Sequence, residues 1–178
     1  MVTVLLYRAG IVLSAVLVSA IAYALITGEA GAIRFLLGFL YITIGISVFF
    51  IHLYVSKYKK NLVRLYIFSI ISLAALYMIS GGDPESAFRG RPYGALFLIP
   101  LSGCLGFITA KEAFCFKLME GYLLALLMPA YLLLLGAGAP APFAVWGLAL
   151  IAGLFLLFTF RKAFMPLHSD IGDKSAYC

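Results

Sequence analysis

The chain has 178 residues, 65% of them hydrophobic and 11% charged, with a mean hydropathy of +1.11 and a net charge of +6. Soluble domains hold roughly 45–50% apolar and about 25% charged residues, so a water-soluble globule is excluded: a chain this small would have to cover its core with polar surface. The positive residues sit between apolar runs, the arrangement that orients helices in a bilayer, so the basic charge points to lipid as the partner and not to nucleic acid.

A membrane span takes about 20 apolar residues, and six runs qualify, at roughly 9–27, 33–55, 62–80, 94–110, 118–136 and 143–160. The expected fold is therefore an all-α polytopic membrane protein, a six-transmembrane-helix bundle forming a single membrane domain over 1–178, with a tail at 161–178. In the first run "SAIAYA" (19–24) resembles a signal-peptidase site behind Arg8. The apolar character continues to Ile26, so the stretch reads as a small-residue segment of an uncleaved helix. His52 closes the second run beside Tyr54 and Tyr58 and reads as an interfacial histidine. A bis-histidine haem would need a second partner inside the membrane, and His168 lies beyond the sixth run.

Lys57-Tyr58-Lys59-Lys60 separates the second and third runs, and "GGDPESAFRGRPYG" (81–94) marks a loop before the fourth. If 94–136 were one helix it would be about 65 Å long, twice the hydrocarbon thickness. It must turn, and Lys111-Glu112 to Lys117 is the charged place to do so. Pro100 and Pro129 are expected to kink the fourth and fifth helices, because each removes a backbone donor. "PLSGCLG" (100–106) permits close helix approach, with Cys104 as a small core residue. "GAGAPAP" (136–142) precedes the sixth run.

Alternate sides of this arrangement differ in charge. One side collects Arg8, Lys57, Lys59, Lys60, Arg64, Lys111, Lys117, Arg161, Lys162 and Lys174, and the other Arg34, Arg89 and Arg91. Positive residues stay inside, so both termini are expected in the cytoplasm (N-in/C-in), in the inner membrane of a bacterium. Every charged residue falls at a span end or in a loop, which weighs against an ion pump built on buried carboxylates. A passive pathway lined by Thr43, Ser47, Ser69, Ser72 and Ser102 stays open.

The cytoplasmic face holds the densest chemistry. "AKEAFCFKLMEG" (110–121) mixes Lys111, Glu112, Cys115, Lys117 and Glu120 with two phenylalanines. As helix, it puts Glu112 and Cys115, and likewise Lys117 and Glu120, three apart on one face. As a tight turn, it would anchor the phenylalanines in the interface while the charges reach water. The tail "FMPLHSDIGDK" (164–174) adds His168, Asp170, Asp173 and Lys174 on the same side, after a helix stop at Pro166. His168, Asp170 and Asp173 are the candidate ligands for a divalent metal, and Cys115 would shift the choice toward zinc or iron. H-x-D-x-x-D is no established metal signature, and no cofactor is otherwise implied. No G-x-S-x-G elbow, Walker loop or Rossmann glycine pattern appears, and Cys178, as the last residue, is not the Cys of a prenylation box.

The segments "MPLHSDIGDKSAY" (165–177) and "KEAFCFKLMEG" (111–121), set among six apolar runs, resemble a family of small integral membrane proteins carried as a domain of unknown function and prominent in photosynthetic bacteria. The resemblance implies a membrane-embedded helical fold and carries over no activity and no catalytic residues. Three functions follow from the residues: an accessory or assembly factor docking another membrane-protein complex through the 111–120 turn and the tail, a small-solute channel or transporter, and a metal-dependent membrane enzyme. The first ranks highest, because no catalytic motif and no mid-membrane charge supports the others.

Overall fold

Backbone N–H and C=O groups find no water in hydrocarbon, so a chain this apolar must satisfy them within helices. The computed structural model describes residues 2–53, 56–82 and 92–165 and contains six helices long and apolar enough to cross a bilayer. They are α1 (Val2–Thr27), α2 (Ala30–Phe50), α3 (Ser56–Ser80), α4 (Ile99–Phe116), α5 (Met119–Gly136) and α6 (Ala141–Ala163). A 3-10 segment, Pro92–Leu98, leads into α4, and there is no strand among the described residues. The architecture is a six-helix, all-α membrane bundle.

The helices overrun the apolar windows at the charged ends. α1 begins at Val2, α3 takes in the Lys57–Lys60 cluster, and α4 continues to Phe116. Helical hydrogen bonding does not stop where hydrocarbon stops, and long basic side chains reach water from a helix end. α2 instead ends early, at Phe50, where Ile51 turns to extended backbone.

Pro100 does not kink a helix. It sits in the first turn of α4, at the junction with the 3-10 segment, where its missing N–H would have had no partner. Pro129 does lie inside α5. It cannot donate to the Ala125 carbonyl one turn back, and Gly106 of α4 packs at that point: a Cβ on Gly106 would lie 3.4 Å from the Ala125 oxygen.

Between helices in lipid the hydrophobic effect offers little, so close packing and hydrogen bonds must hold them. α1 packs against α2 and α6, α6 against α5, α5 against α4, and α4 against α3, with α2 touching both α3 and α4. α3 is the least buried of the six. The α1–α2 seam is made of small polar residues: Ser14 and Thr43 share a 2.9 Å hydrogen bond, and Gly10 lies against Ser47 and the Thr43 carbonyl. Two other seams repeat one device, a tyrosine laid over a glycine. Tyr66 crosses Gly45 to donate to the Tyr41 carbonyl at 2.9 Å, and Tyr131 crosses Gly147 to donate to the Ala144 carbonyl at 2.7 Å. The missing Cβ admits the ring, and the carbonyl satisfies a phenol that would otherwise be stranded.

Among α1, α2, α4, α5 and α6 lies an apolar cavity of about 80 Å³, lined by residues such as Val18, Ile44, Leu101, Met128 and Ile151.

The packing predicts a contrast between glycines. A Cβ at Gly121 would come within 2.5 Å of the Thr109 carbonyl oxygen and 2.9 Å of the Ala113 Cβ, whereas Gly153 has open space around it. Gly121→Ala should lower stability by ~1–3 kcal/mol through overpacking. Gly153→Ala should be neutral or raise it by up to ~1 kcal/mol through helix propensity. Thermal unfolding in mild detergent reads both, and equal effects would refute the close α4–α5 crossing.

Candidate functional site

The antiparallel order of the helices gathers one end of each into a charged layer: the starts of α1, α3 and α5 and the ends of α2, α4 and α6. Thr3 and His52 mark it, their Oγ1 and Nε2 lying 3.3 Å apart. The inward faces of three helices run into this layer without changing phase. On α4 the buried positions are Leu101, Leu105, Ile108 and then Glu112. On α6 they are Ile151, Phe155, Phe158 and then Lys162, and on α1 Tyr7 is followed by Ile11, Ala15 and Val18. Helical periodicity therefore aims a carboxylate, an ammonium and a phenol at one point.

They meet there. Glu112 is 0% exposed and Lys162 2%. The Tyr7 hydroxyl donates to Glu112 Oε1 at 2.7 Å, and Lys111 Nζ donates to the same oxygen at 2.7 Å. Lys162 pairs with Oε2. The amines also rest on rings: Lys162 Nζ lies 3.7 Å from the centre of Phe116, and Lys111 Nζ 5.4 Å from that of Tyr7. Beside this cluster Arg8 donates to the Met165 carbonyl at 2.5 Å, and Arg161 of α6 pairs with Glu120 of α5. Four helices are thus tied together by one buried carboxylate and its neighbours.

This geometry sorts the residues singled out from sequence. Lys111, Glu112 and Glu120 are engaged inside the bundle end, while Cys115 is exposed. The 110–121 segment is helix on both sides of a tight turn: α4 runs to Phe116, so Glu112 and Cys115 stand three apart on it, Lys117 caps it with a left-handed φ of 55°, and Leu118 is fully buried before α5 begins. The break separates Lys117 from Glu120, so the two do not form a helical pair; Glu120 finds Arg161 instead. The charges do not all turn to water either, because Glu112 follows the inward face of α4. His168, Asp170, Asp173 and Lys174 lie outside the described residues. Among the described residues no group of three His, Cys, Asp or Glu could hold a metal. Glu112, with Oε1 accepting two hydrogen bonds and Oε2 ion-paired with Lys162, is held as a fastening between helices.

Tyr7, Lys162 and Phe116 were not singled out from sequence. Arg8, Arg161 and Lys162 entered only as topological charges. The signal that finds Tyr7, Arg8, Phe116 and Lys162 is helical phase: each lies close to a whole number of turns from a buried apolar residue on its own helix, whereas Arg161 is exposed and off that phase.

A bundle of six apolar helices with its polar residues drawn to the ends is the construction of a polytopic integral membrane protein. The chain belongs to the family described as uncharacterized integral membrane protein (DUF2301), whose profile matches residues 46–178. No curated protein and no solved structure matches the chain.

Removing one partner of a buried ion pair leaves the other uncompensated, which costs ~3–5 kcal/mol. Glu112→Ala should therefore destabilise by that amount, and Tyr7→Phe by ~1 kcal/mol. Glu112→Leu combined with Lys162→Met should be less damaging than the two single changes added together. Thermal unfolding in detergent measures the cycle, and strict additivity would show that the pair is not coupled.

Proposed function

We propose that this protein is an accessory or assembly factor of the bacterial cytoplasmic membrane that docks another membrane protein at the cytoplasmic end of its bundle. Orientation is argued from charge. Among the described residues Arg8, Lys57, Lys59, Lys60, Arg64, Lys111, Lys117, Arg161 and Lys162 belong to one end, against Arg34 at the other. That bias favours the charged end, and with it both chain termini, on the cytoplasmic side.

The observation that carries the reading is the α4–α5 turn. Its inward residues are pinned by the Glu112 cluster, while outward it presents Phe114 and Met119, 70% and 67% exposed, with Cys115 and Lys117. Phenylalanine and methionine are residue types enriched at protein interfaces, and a short turn pinned from within presents this pair preorganised. The left-handed backbone at Lys117, a conformation disfavoured for a side-chain-bearing residue by ~1–2 kcal/mol, is held against its own preference. The tail with His168, Asp170, Asp173 and Lys174 would supply the second half of the surface; it follows Met165, which Arg8 holds at the same end.

The competing readings have less support. The central cavity, at about 80 Å³, is apolar and smaller than the roughly 150 Å³ that admits benzene. The hydroxyls of Thr43, Ser47, Ser69 and Ser102 bond to carbonyls of their own helices and do not line a polar path. An enzyme site using Glu112 would first have to release it from Tyr7, Lys111 and Lys162.

Cys115 offers a handle for the test. In a Cys104→Ala, Cys178→Ser background, a photoreactive maleimide on Cys115 in native membranes should yield a discrete adduct with one other membrane protein. Phe114→Asp, or deletion of 166–178, should reduce that adduct about tenfold or more. Adducts to lipid alone, or a protein adduct indifferent to both changes, would refute docking through this surface.

A further inference from the structure

The outermost helix, α3, carries chemistry that neither the bundle nor the docking turn uses. At 100° per residue, Lys57, Lys60 and Arg64 fall within about 60° of one another, on the face opposite the buried Leu62, Tyr66 and Ser69. All three are exposed. Immediately beyond them the same face becomes wholly apolar, with Phe68 58% and Ile71 60% exposed, followed by the small Ala74 and Ala75. From Arg64 to Ala74 the helix advances about 15 Å, half the hydrocarbon thickness. The stripe is therefore one leaflet long, cationic at its head and apolar along its length.

Among the described residues no acid is left to pair with the three cations. Only Glu29, Glu112 and Glu120 are acidic among the described residues. Glu29 is at the far end, Glu112 is engaged by Lys111 and Lys162, and Glu120 by Arg161. Lys57 and Lys60 also stand in the first turns of a helix, whose N-terminal dipole disfavours cations and favours an anion. An anionic group lying between the three side chains relieves both repulsions at once.

We propose that this face of α3 binds one anionic phospholipid, with its phosphate held by Lys57, Lys60 and Arg64 and an acyl chain laid over Phe68 and Ile71 into the shallow step at Ala74 and Ala75. Charge complementarity selects the headgroup, and the apolar continuation selects a lipid over a free anion or an acidic peptide. Orientation in the membrane requires only that basic residues be present at one end. Lys59 lies on the other side of the helix, but three of its four leading basic residues share one face above a stripe one leaflet long, which is what a bound lipid requires in addition. The proposal is independent of the docking function, since it uses a different helix and would stand if no protein partner existed.

Native mass spectrometry of the full chain in mild detergent, titrated with phosphatidylglycerol or phosphatidylcholine, tests it. Each cation near an anionic headgroup contributes about fivefold in affinity, so three amount to about a hundredfold. One phosphatidylglycerol should be retained at least about tenfold more strongly than phosphatidylcholine. That preference should fall about fivefold in Arg64→Gln and vanish in the Lys57→Gln, Lys60→Gln, Arg64→Gln triple variant, while Lys117→Gln leaves it intact. Arg64→Gln is an exposed single change, so its result stands even if the triple variant folds poorly. Equal retention of the two lipids, survival of the preference in the variants, or full displacement by inorganic phosphate would overturn the proposal.

Discussion

Everything at the charged end of this bundle depends on one carboxylate that has nowhere to go. Glu112 continues the inward face of α4, so its side chain enters a region closed by α1 and α6. An isolated carboxylate there would be intolerable, and both oxygens are met: Tyr7 and Lys111 on one, Lys162 on the other. Lys162 is itself buried and needs the carboxylate as much as the carboxylate needs it. Replacing such a pair with apolar residues often leaves stability unchanged or improved, so the cluster is not explained by stability alone. What it provides is register. A charge pair with fixed partners on α1, α4 and α6 admits only one axial and rotational setting of those helices, which apolar surfaces in lipid would leave loosely specified.

Away from that end, specificity comes from shape. The glycines at 10, 45, 106 and 147 cut notches into helices that are otherwise uniformly greasy, and a particular neighbour fills each: Ser47, Tyr66, Ala125 and Tyr131. In two of the four a phenol completes the fit with a hydrogen bond to a backbone carbonyl. Ser69, Ser102 and Thr109 return their hydroxyls to their own backbones, a cheap solution that leaves little polar surface facing the interior. The bundle is consequently dry at its centre and polar at its ends.

That division explains what could be read from the sequence. Six spans were legible because lipid imposes length and composition, and both are visible in one dimension. The turn at 117–118 was legible because a 43-residue apolar stretch cannot cross once. The role of Pro100 was not, since a proline within an apolar window looks the same whether it sits in a helix interior or in a first turn; the 3-10 lead-in decides it. The Glu112 cluster was half legible. Glu112 and Lys111 stood out as charges, but Tyr7 and Lys162 are a hundred and fifty-odd residues apart, and charge counting treats Lys162 as one more interfacial cation. In helices this apolar the hydrophobic pattern is too uniform to show which face is inside. Phase had to come from packing.

Charge arithmetic at this end then connects the internal fastening to the outer surface. Two carboxylates, Glu112 and Glu120, are shared by Lys111, Lys162 and Arg161, and both are used within the bundle. Lys57, Lys60 and Arg64 of α3, along with Lys117 on the turn, are therefore left facing outward without a described acid to neutralise them. Had Glu112 been exposed, it could have moderated that field; buried, it is screened from the surface and occupied by its own amines. The same constraint that fixes three helices in register thus leaves a positive surface on the rest of this end, so whatever meets it, lipid headgroup or protein, is selected for negative charge before any detailed fit is made.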